Sequence, residues 1–152
     1  MNQISRLQSK ILSFSTLESQ LKKWRNANEK IVFTNGCFDL IHFGDIDYLA
    51  KARDLGNRLV VGLNTDASIR RLKGSSRPIK DEQSRLALIA GLGFVDAVVL
   101  FDEETPIKLI SIIKPNFSAS SMRCSILVAG LISPDKPTSP AKQVLSEMAM
   151  FS

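Results

Sequence analysis

Three short apolar runs limit what this chain can become: Ile31-Val32-Phe33, Leu59-Val60-Val61-Gly62-Leu63 and Ala97-Val98-Val99-Leu100-Phe101. Each is rich in β-branched or aromatic residues and lacks polar alternation, the pattern of a strand buried on both faces. The intervening stretches carry helix signals. A helix is expected from about Gly44 to Leu55, with Ile46, Leu49 and Ala50 inward and Gly56 as its C-cap. Asn64-Thr65-Asp66 then caps a short helix through Leu72. Asp81 opens another that runs to about Leu92, with Leu86, Ile89 and Ala90 inward. Thr105-Pro106 opens a last one, with Pro in the favoured first position, and it ends near Lys114-Pro115. Parallel strands need crossovers of this length, so the alternation predicts an α/β domain with a parallel sheet and right-handed connections.

The segments flanking residues 30–116 have a different character. Residues 1–29 are an N-terminal lead-in followed by a helix. The capping-box spacing of Ser15 and Glu18 starts that helix near Thr16, and Leu17, Leu21 and Trp24 form its apolar stripe. Lys73-Gly74-Ser75-Ser76-Arg77-Pro78 reads as a flexible basic loop. After Asn116 the rhythm is lost. Residues 117–152 contain a Ser-Ala-Ser-Ser run, Pro134, Pro137 and Pro140, and a Met-rich end. Within them Ile126-Leu127-Val128-Ala129 suits a strand and Ala141 to Met150 a short helix, in a divergent tail to what is otherwise one domain of 152 residues.

The formal net charge of +5, from 20 Lys and Arg against 15 Asp and Glu, suits an anionic ligand such as a phosphate. The charge is too dispersed for nucleic acid: Lys22-Lys23 and Arg70-Arg71 are the only adjacent basic pairs, and neither is interleaved with aromatics. Cys37 and Cys124 are far apart with no C-x-x-C spacing, so neither a disulfide framework nor a thiolate metal site is expected. No apolar stretch of signal-peptide length follows Arg6 and Lys10, and none is long enough to span a bilayer. A cytoplasmic protein without nucleic-acid or membrane partners is the expectation.

In an open parallel α/β sheet, ligands bind outside the carboxyl ends of the strands. The first strand here ends in Thr34-Asn35-Gly36. Gly36 would let backbone approach a phosphate, the helix beginning near Gly44 would aim free N–H groups at it, and His42 could donate from its ring. Taken alone, a turn glycine and a surface histidine explain the same residues. Neither G-x-G-x-x-G nor a Walker A loop is present.

The run Lys30-Ile31-Val32-Phe33-Thr34-Asn35-Gly36-Cys37-Phe38-Asp39-Leu40-Ile41-His42-Phe43-Gly44 resembles the signature of the cytidylyltransferase-like nucleotidyltransferases, and in particular that of the bacterial heptose 1-phosphate adenylyltransferases. The likeness continues through Val61 to Ser68, Arg71-Leu72-Lys73-Gly74, Arg77-Pro78-Ile79, Arg85, Val95-Asp96 and Phe101 to Pro106. It implies a Rossmann-like three-layer α/β fold. It also implies transfer of AMP from ATP, with Mg²⁺, to a sugar 1-phosphate, releasing pyrophosphate without a covalent enzyme intermediate. A homodimer is implied too. In such a reaction the protein positions its substrates and stabilises charge at the transferred phosphorus.

Carried over by position, the resemblance makes His42 and Lys73 the catalytic pair. His42 matches the first histidine of an H-x-G-H motif, and Lys73 matches a mobile-loop lysine. Thr34, Asn35, Gly36, Phe38, Asp39, Gly44, Asp45 and Arg85 would surround the nucleotide, and Asn64, Asp66 and Arg77 the second substrate. No side chain is expected to hold metal directly. A solvated basic loop would equally explain Lys73 and Arg77, and a helix cap Asp66.

Two departures stand out. The second histidine of H-x-G-H is replaced by Asp45, which when ionised offers only acceptors where an imidazole would donate. The replacement also suits a helix N-terminus. After Lys114-Pro115-Asn116, neither a Lys-Gly-Gly-Asp turn nor a Ser-Thr-Thr helix start follows, a loss that a shifted reading frame would produce and that translating the other frames of the gene would test. Two alternatives therefore stand beside the adenylyltransferase: a weak or inactive nucleotide-binding relative, and a cytidylyltransferase acting on a polyol phosphate.

Overall fold

The computed structural model describes residues 1–120 and 127–129. Its first helix, α1 (Gln3–Gln8), is capped by the Asn2 side chain. The chain then runs extended past Ile11, which bridges in parallel to Val98: Leu12 N–H donates to Val98 O (2.9 Å) and Val98 N–H to Lys10 O (2.8 Å). The lead-in thus pairs with a strand distant in sequence.

Helix α2 (Phe14–Asn26) begins earlier than the Ser15–Glu18 spacing predicts. Ser13 is the N-cap and Thr16 completes the capping box. The long-range bridge at Ile11 holds the chain extended up to this point, and the helix starts as soon as it is released. Leu17, Leu21 and Trp24 are buried as expected.

The core follows as β1 (Ile31–Gly36), α3 (Phe43–Asp54), β2 (Arg58–Asn64), α4 (Asp66–Lys73), α5 (Glu82–Ala90), β3 (Ala97–Phe101), α6 (Ile107–Ile113), β4 (Phe117–Ser120) and β5 (Leu127–Ala129). The sheet order is β3-β2-β1-β4-β5, parallel except for β5, which runs antiparallel to β4. β4 and β5 fall in the segment read as a divergent tail. β4 pairs directly with β1, Val32 opposite Phe117 and Asn35 opposite Ser120, so the sheet continues past Asn116. The helix expected over Ala141 to Met150 lies outside the described residues.

Strand alternation sorts the core into two layers. Ile31, Phe33, Val60, Ala97, Val99 and Phe101 pack with α2 and α6 through Leu17, Leu21, Trp24, Leu109 and Ile113. Val32, Leu59, Val61, Leu63 and Val98 pack with α3 and α5 through Leu49, Ala52, Leu86, Ile89 and Ala90. These are the three layers expected of a Rossmann-like domain. The buried residues of α3 are Leu49 and Ala52, with Ile46 and Ala50 only half-buried. Asp45, Tyr48, Leu49 and Ala52 share one helix face by their i, i+3, i+4, i+7 spacing, and the Tyr48 hydroxyl bonds Thr34 Oγ1 on β1 at 2.7 Å. That polar contact turns the helix away from its most apolar stripe.

Candidate functional site

β1 lies between β2 and β4, so the chain reverses its direction across the sheet at β1, and the switch point opens beyond the carboxyl ends of β1 and β4. The segment leaving β1 is tightly built. A Cβ on Gly36 would stand 2.8 Å from the Phe38 ring. Phe38 itself has φ +46°, a conformation costly for an aromatic residue and held here by burial of its ring among the α3 and α5 side chains. Gly36 is thus required by the packing of Phe38 as much as by any ligand.

His42 is the N-cap of α3. Its Nδ1 accepts from the Gly44 N–H at 3.0 Å, and a Cβ on Gly44 would lie 2.8 Å from the imidazole Cε1. With Nδ1 used as acceptor, a neutral ring carries its proton on Nε2, available as a donor. The ring is largely exposed. Asp45 closes the turn: one carboxylate oxygen accepts from the His42 N–H at 3.2 Å and lies 3.6 Å from Nε2. Asp45 is therefore the N3 partner of a capping box, and its negative charge stands beside the only histidine of the chain.

Across the opening, α4 is capped by Thr65 and ends at Lys73, which is exposed. Burial pushes the half-buried Cys37 thiol up. The ammonium of Lys73 and then the Arg85 guanidinium pull it back, and Asp39 adds to the rise. Asn64, at the end of β2, accepts from the Cys37 thiol (3.8 Å) and donates to Ser68 Oγ (3.0 Å). His42, Asp45, Gly44, Cys37, Asn64 and Lys73 thus gather at the carboxyl ends of β1 and β2.

Several expected ligand-binding residues are instead committed to the protein. Thr34 is fully buried against Tyr48. Arg85 has no exposed surface. Its Nη1 donates to the carbonyls of Cys37 (2.9 Å) and Asn64 (2.8 Å), its Nε to Lys80 O (3.1 Å) and its Nη2 to Asp66 Oδ1 (2.7 Å). It ties the ends of β1 and β2 to α4 and α5 and keeps no donor face for a phosphate. Asp66 is held by Arg85, and its N–H donates to Glu82 Oε2 at 3.0 Å. Arg77 pairs with Asp39 at 3.2 Å. Of the basic loop from Lys73 to Pro78, Arg77 is thus tied to Asp39, which also accepts from the N–H groups of Ile79 and Lys80 just beyond the loop. The bonding partners Tyr48, Ser68 and Glu82 were not singled out from sequence: Ser68 stands at the local i+4 spacing from Asn64, whereas Tyr48 and Glu82 lie 14 and 16 positions from Thr34 and Asp66.

The model of the cytidylyltransferase-like family matches residues 33–149. The chain belongs to the cytidylyltransferase-like family. Its match extends beyond Asn116, where the motif likeness ends. Among curated proteins the chain is 53% identical over 110 residues to the bifunctional protein HldE of Methylobacillus flagellatus, covering 72% of this chain and 22% of that one. It is 54% identical over 107 residues to HldE of Campylobacter concisus, with 70% and 22% covered. Against HldE of Campylobacter jejuni the identity is 57% over 99 residues, with 65% and 22% covered. The chain therefore spans about a fifth of the length of these relatives. The crystal structure of the lipopolysaccharide core biosynthesis protein from Thermoplasma volcanium matches with a TM-score of 0.57 at 30% identity, covering 81% of this chain and 88% of that one.

Proposed function

We propose that this cytidylyltransferase-like domain transfers AMP from ATP to heptose 1-phosphate and releases pyrophosphate, with turnover reduced by Asp45. The observation that carries the reading is the identity above one half to HldE proteins over 99 to 110 residues. A phosphate oxygen of the sugar phosphate attacks the α-phosphorus of ATP in line. The new P–O bond forms as the bond from the α-phosphorus to the bridging oxygen breaks, and pyrophosphate leaves with that electron pair.

The N-terminus of α3 lies at the carboxyl ends of the strands, where the helix dipole favours anionic oxygens, although the Gly44 N–H is taken by His42 Nδ1 and the Asp45 and Ile46 N–H groups by His42 O. His42 Nε2–H would donate to a nucleotide phosphate, and Lys73 would offset the charge that builds on the transferring group. Asn35, Gly36, Phe38 and Gly44 shape the pocket. Asn64 lies toward the second substrate. Thr34, Asp39, Asp66, Arg77 and Arg85 act from behind, through the bonds they make within the protein.

Among the described residues no three His, Cys, Asp or Glu side chains are grouped to hold a metal. Mg²⁺ would arrive on the triphosphate, with phosphate oxygens and water as its main ligands. Bound there, the ion would neutralise phosphate charge. No helix among the described residues is long and apolar enough to cross a membrane, and a cytoplasmic location is part of the proposal. A homodimer accompanies the reading and is checked by sedimentation.

Asp45 also favours a second reading, a nucleotide binder with little turnover, because its carboxylate takes the place of a donor beside His42. The deciding experiment measures pyrophosphate release from ATP plus heptose 1-phosphate by the native protein and by Asp45→His. The variant should be faster by about 10²–10³, the usual worth of one such donor. Its helix should lose about 0.5–1 kcal/mol of capping and dipole stabilisation, read from thermal unfolding. Equal rates would remove the weight placed on Asp45. ATP affinity without release in either form would support the binder. Release from CTP with a polyol phosphate in place of ATP with heptose 1-phosphate would establish the cytidylyltransferase alternative.

A further inference from the structure

We propose that Asp39 is a positioning residue whose carboxylate clasps residues 77–80 onto the turn after β1 and thereby holds Lys73 over the phosphate site. The inference rests on the reading of Lys73 as the cation that meets the transferring phosphate, and deepens it by assigning what places that cation.

The geometry is specific. Asp39 is only 8% exposed. Its Oδ1 accepts from Lys80 N–H (2.9 Å) and Ile79 N–H (3.0 Å), and its Oδ2 from Ile79 N–H (3.0 Å) and Arg77 Nη1 (3.2 Å). The carbonyl of Lys80 is held from the other side by Arg85 Nε. Both polar groups of the Lys80 backbone are therefore gripped by charged side chains rooted in the site. Upstream, Gly74 follows Lys73 with φ +95° and turns the chain, and Arg77 N–H closes that turn on Gly74 O at 3.2 Å. Lys73 is thus one short turn away from a fixed point.

A loop lysine anchored only by the end of an eight-residue helix would sample a wide arc. Fastening the far side of the loop narrows that arc toward Cys37, whose thiol already feels the Lys73 charge. Merely closing the loop would not need a carboxylate taken out of water, since an apolar contact would do so without the desolvation penalty.

The test uses Asp39→Asn, which keeps the shape, with Arg77→Met as a second variant that leaves the Asp39 charge in place. In pyrophosphate release, Asp39→Asn should lower kcat about tenfold to a hundredfold, the range expected when a reacting group is misplaced by about 1 Å. The Kd for ATP should stay nearly constant. Lys73→Met should abolish this sensitivity, so the double variant is no slower than Lys73→Met alone. Losses that multiply in the double variant, or a weakened ATP Kd in Asp39→Asn, would overturn the proposal.

A second readout does not depend on turnover. In a Cys124→Ser background, the pH profile of Cys37 alkylation reports Lys73. Removing the nearby Asp39 charge would by itself move that profile to lower pH, and losing Lys73 moves it to higher pH. Asp39→Asn should shift it upward, as Lys73→Met does, and Arg77→Met should do so by less. A downward shift, or none, sinks the clasp. If the native protein releases no pyrophosphate, the adenylyl-transfer reading falls on that result while alkylation still decides what Asp39 does.

Discussion

At the residue scale, the residues around the switch point divide into exposed groups such as His42 and Lys73 and buried groups such as Asp39 and Arg85 that hold the turn in place, and sequence distinguishes them poorly. The position of His42 and Gly44 at the start of a helix was legible because their contacts are local, whereas the acceptance of the Gly44 N–H by the His42 ring was not read. Arg85 and Asp39 were legible as members of a motif but not in their roles, since the partners of Asp39 lie 38 to 41 positions away and those of Arg85 as far as 48. The ionisation of Asp39 follows from the same contacts. Burial pushes its carboxyl up, but the amides of Lys80 and Ile79 and the Arg77 guanidinium outweigh burial, and it lies below its ordinary value. A carboxyl lowered on folding stabilises above its unfolded-state value of about 3.9 and loses that contribution only as pH falls through the folded value. Hydrogen exchange at Ile79 and Lys80, corrected for intrinsic rates, should therefore show constant protection from neutral pH to about pH 4 and a decline only in stronger acid. Protection lost near pH 6 would mean that another group governs the loop.

At the element scale, the strands and helices between residues 30 and 116 were readable because each carries its own pattern, and the departures have one kind of cause. A long-range contact overrides a local signal. Ser13 and Ser15 both stand before plausible helix starts, yet the bridge of Ile11 to Val98 fixes which is used. Ser13 and Thr16 bond reciprocally, Ser13 N–H donating to Thr16 Oγ1 at 2.8 Å and Thr16 N–H to Ser13 Oγ at 3.3 Å. Ser13→Ala should accordingly cost about 1 kcal/mol in urea unfolding, whereas Ser15→Ala should stay within about 0.5 kcal/mol. The reverse order would place the cap at Ser15. The rotation of α3 has the same origin: the Thr34–Tyr48 hydroxyl pair, invisible in the helix pattern alone, selects the buried face and brings Asp45 onto it.

At the scale of the whole molecule, the two ends of the sheet do different work. At the amino ends, Arg58 joins Glu29 and Asp96 and stacks over Trp24, and Arg53 also reaches Asp96. The carboxyl ends carry the turn after β1 and the N-cap of α3. Between them the two hydrophobic layers lie on opposite faces of β1, β2 and β3 and share no helix. Because the strands are common to both, loss of either layer removes support from the other, and the described residues should unfold as one unit. Trp24, the single tryptophan, reports the α2 and α6 face, while Leu49 belongs to the α3 and α5 face. Leu49→Ala should destabilise by about 2–5 kcal/mol. Its urea midpoint should fall by the same amount whether followed by Trp24 fluorescence or by far-ultraviolet circular dichroism. A Trp24 midpoint that stays in place while the dichroism midpoint falls would show that α2 and α6 melt from the sheet on their own, and the shared strands would then not couple the two layers.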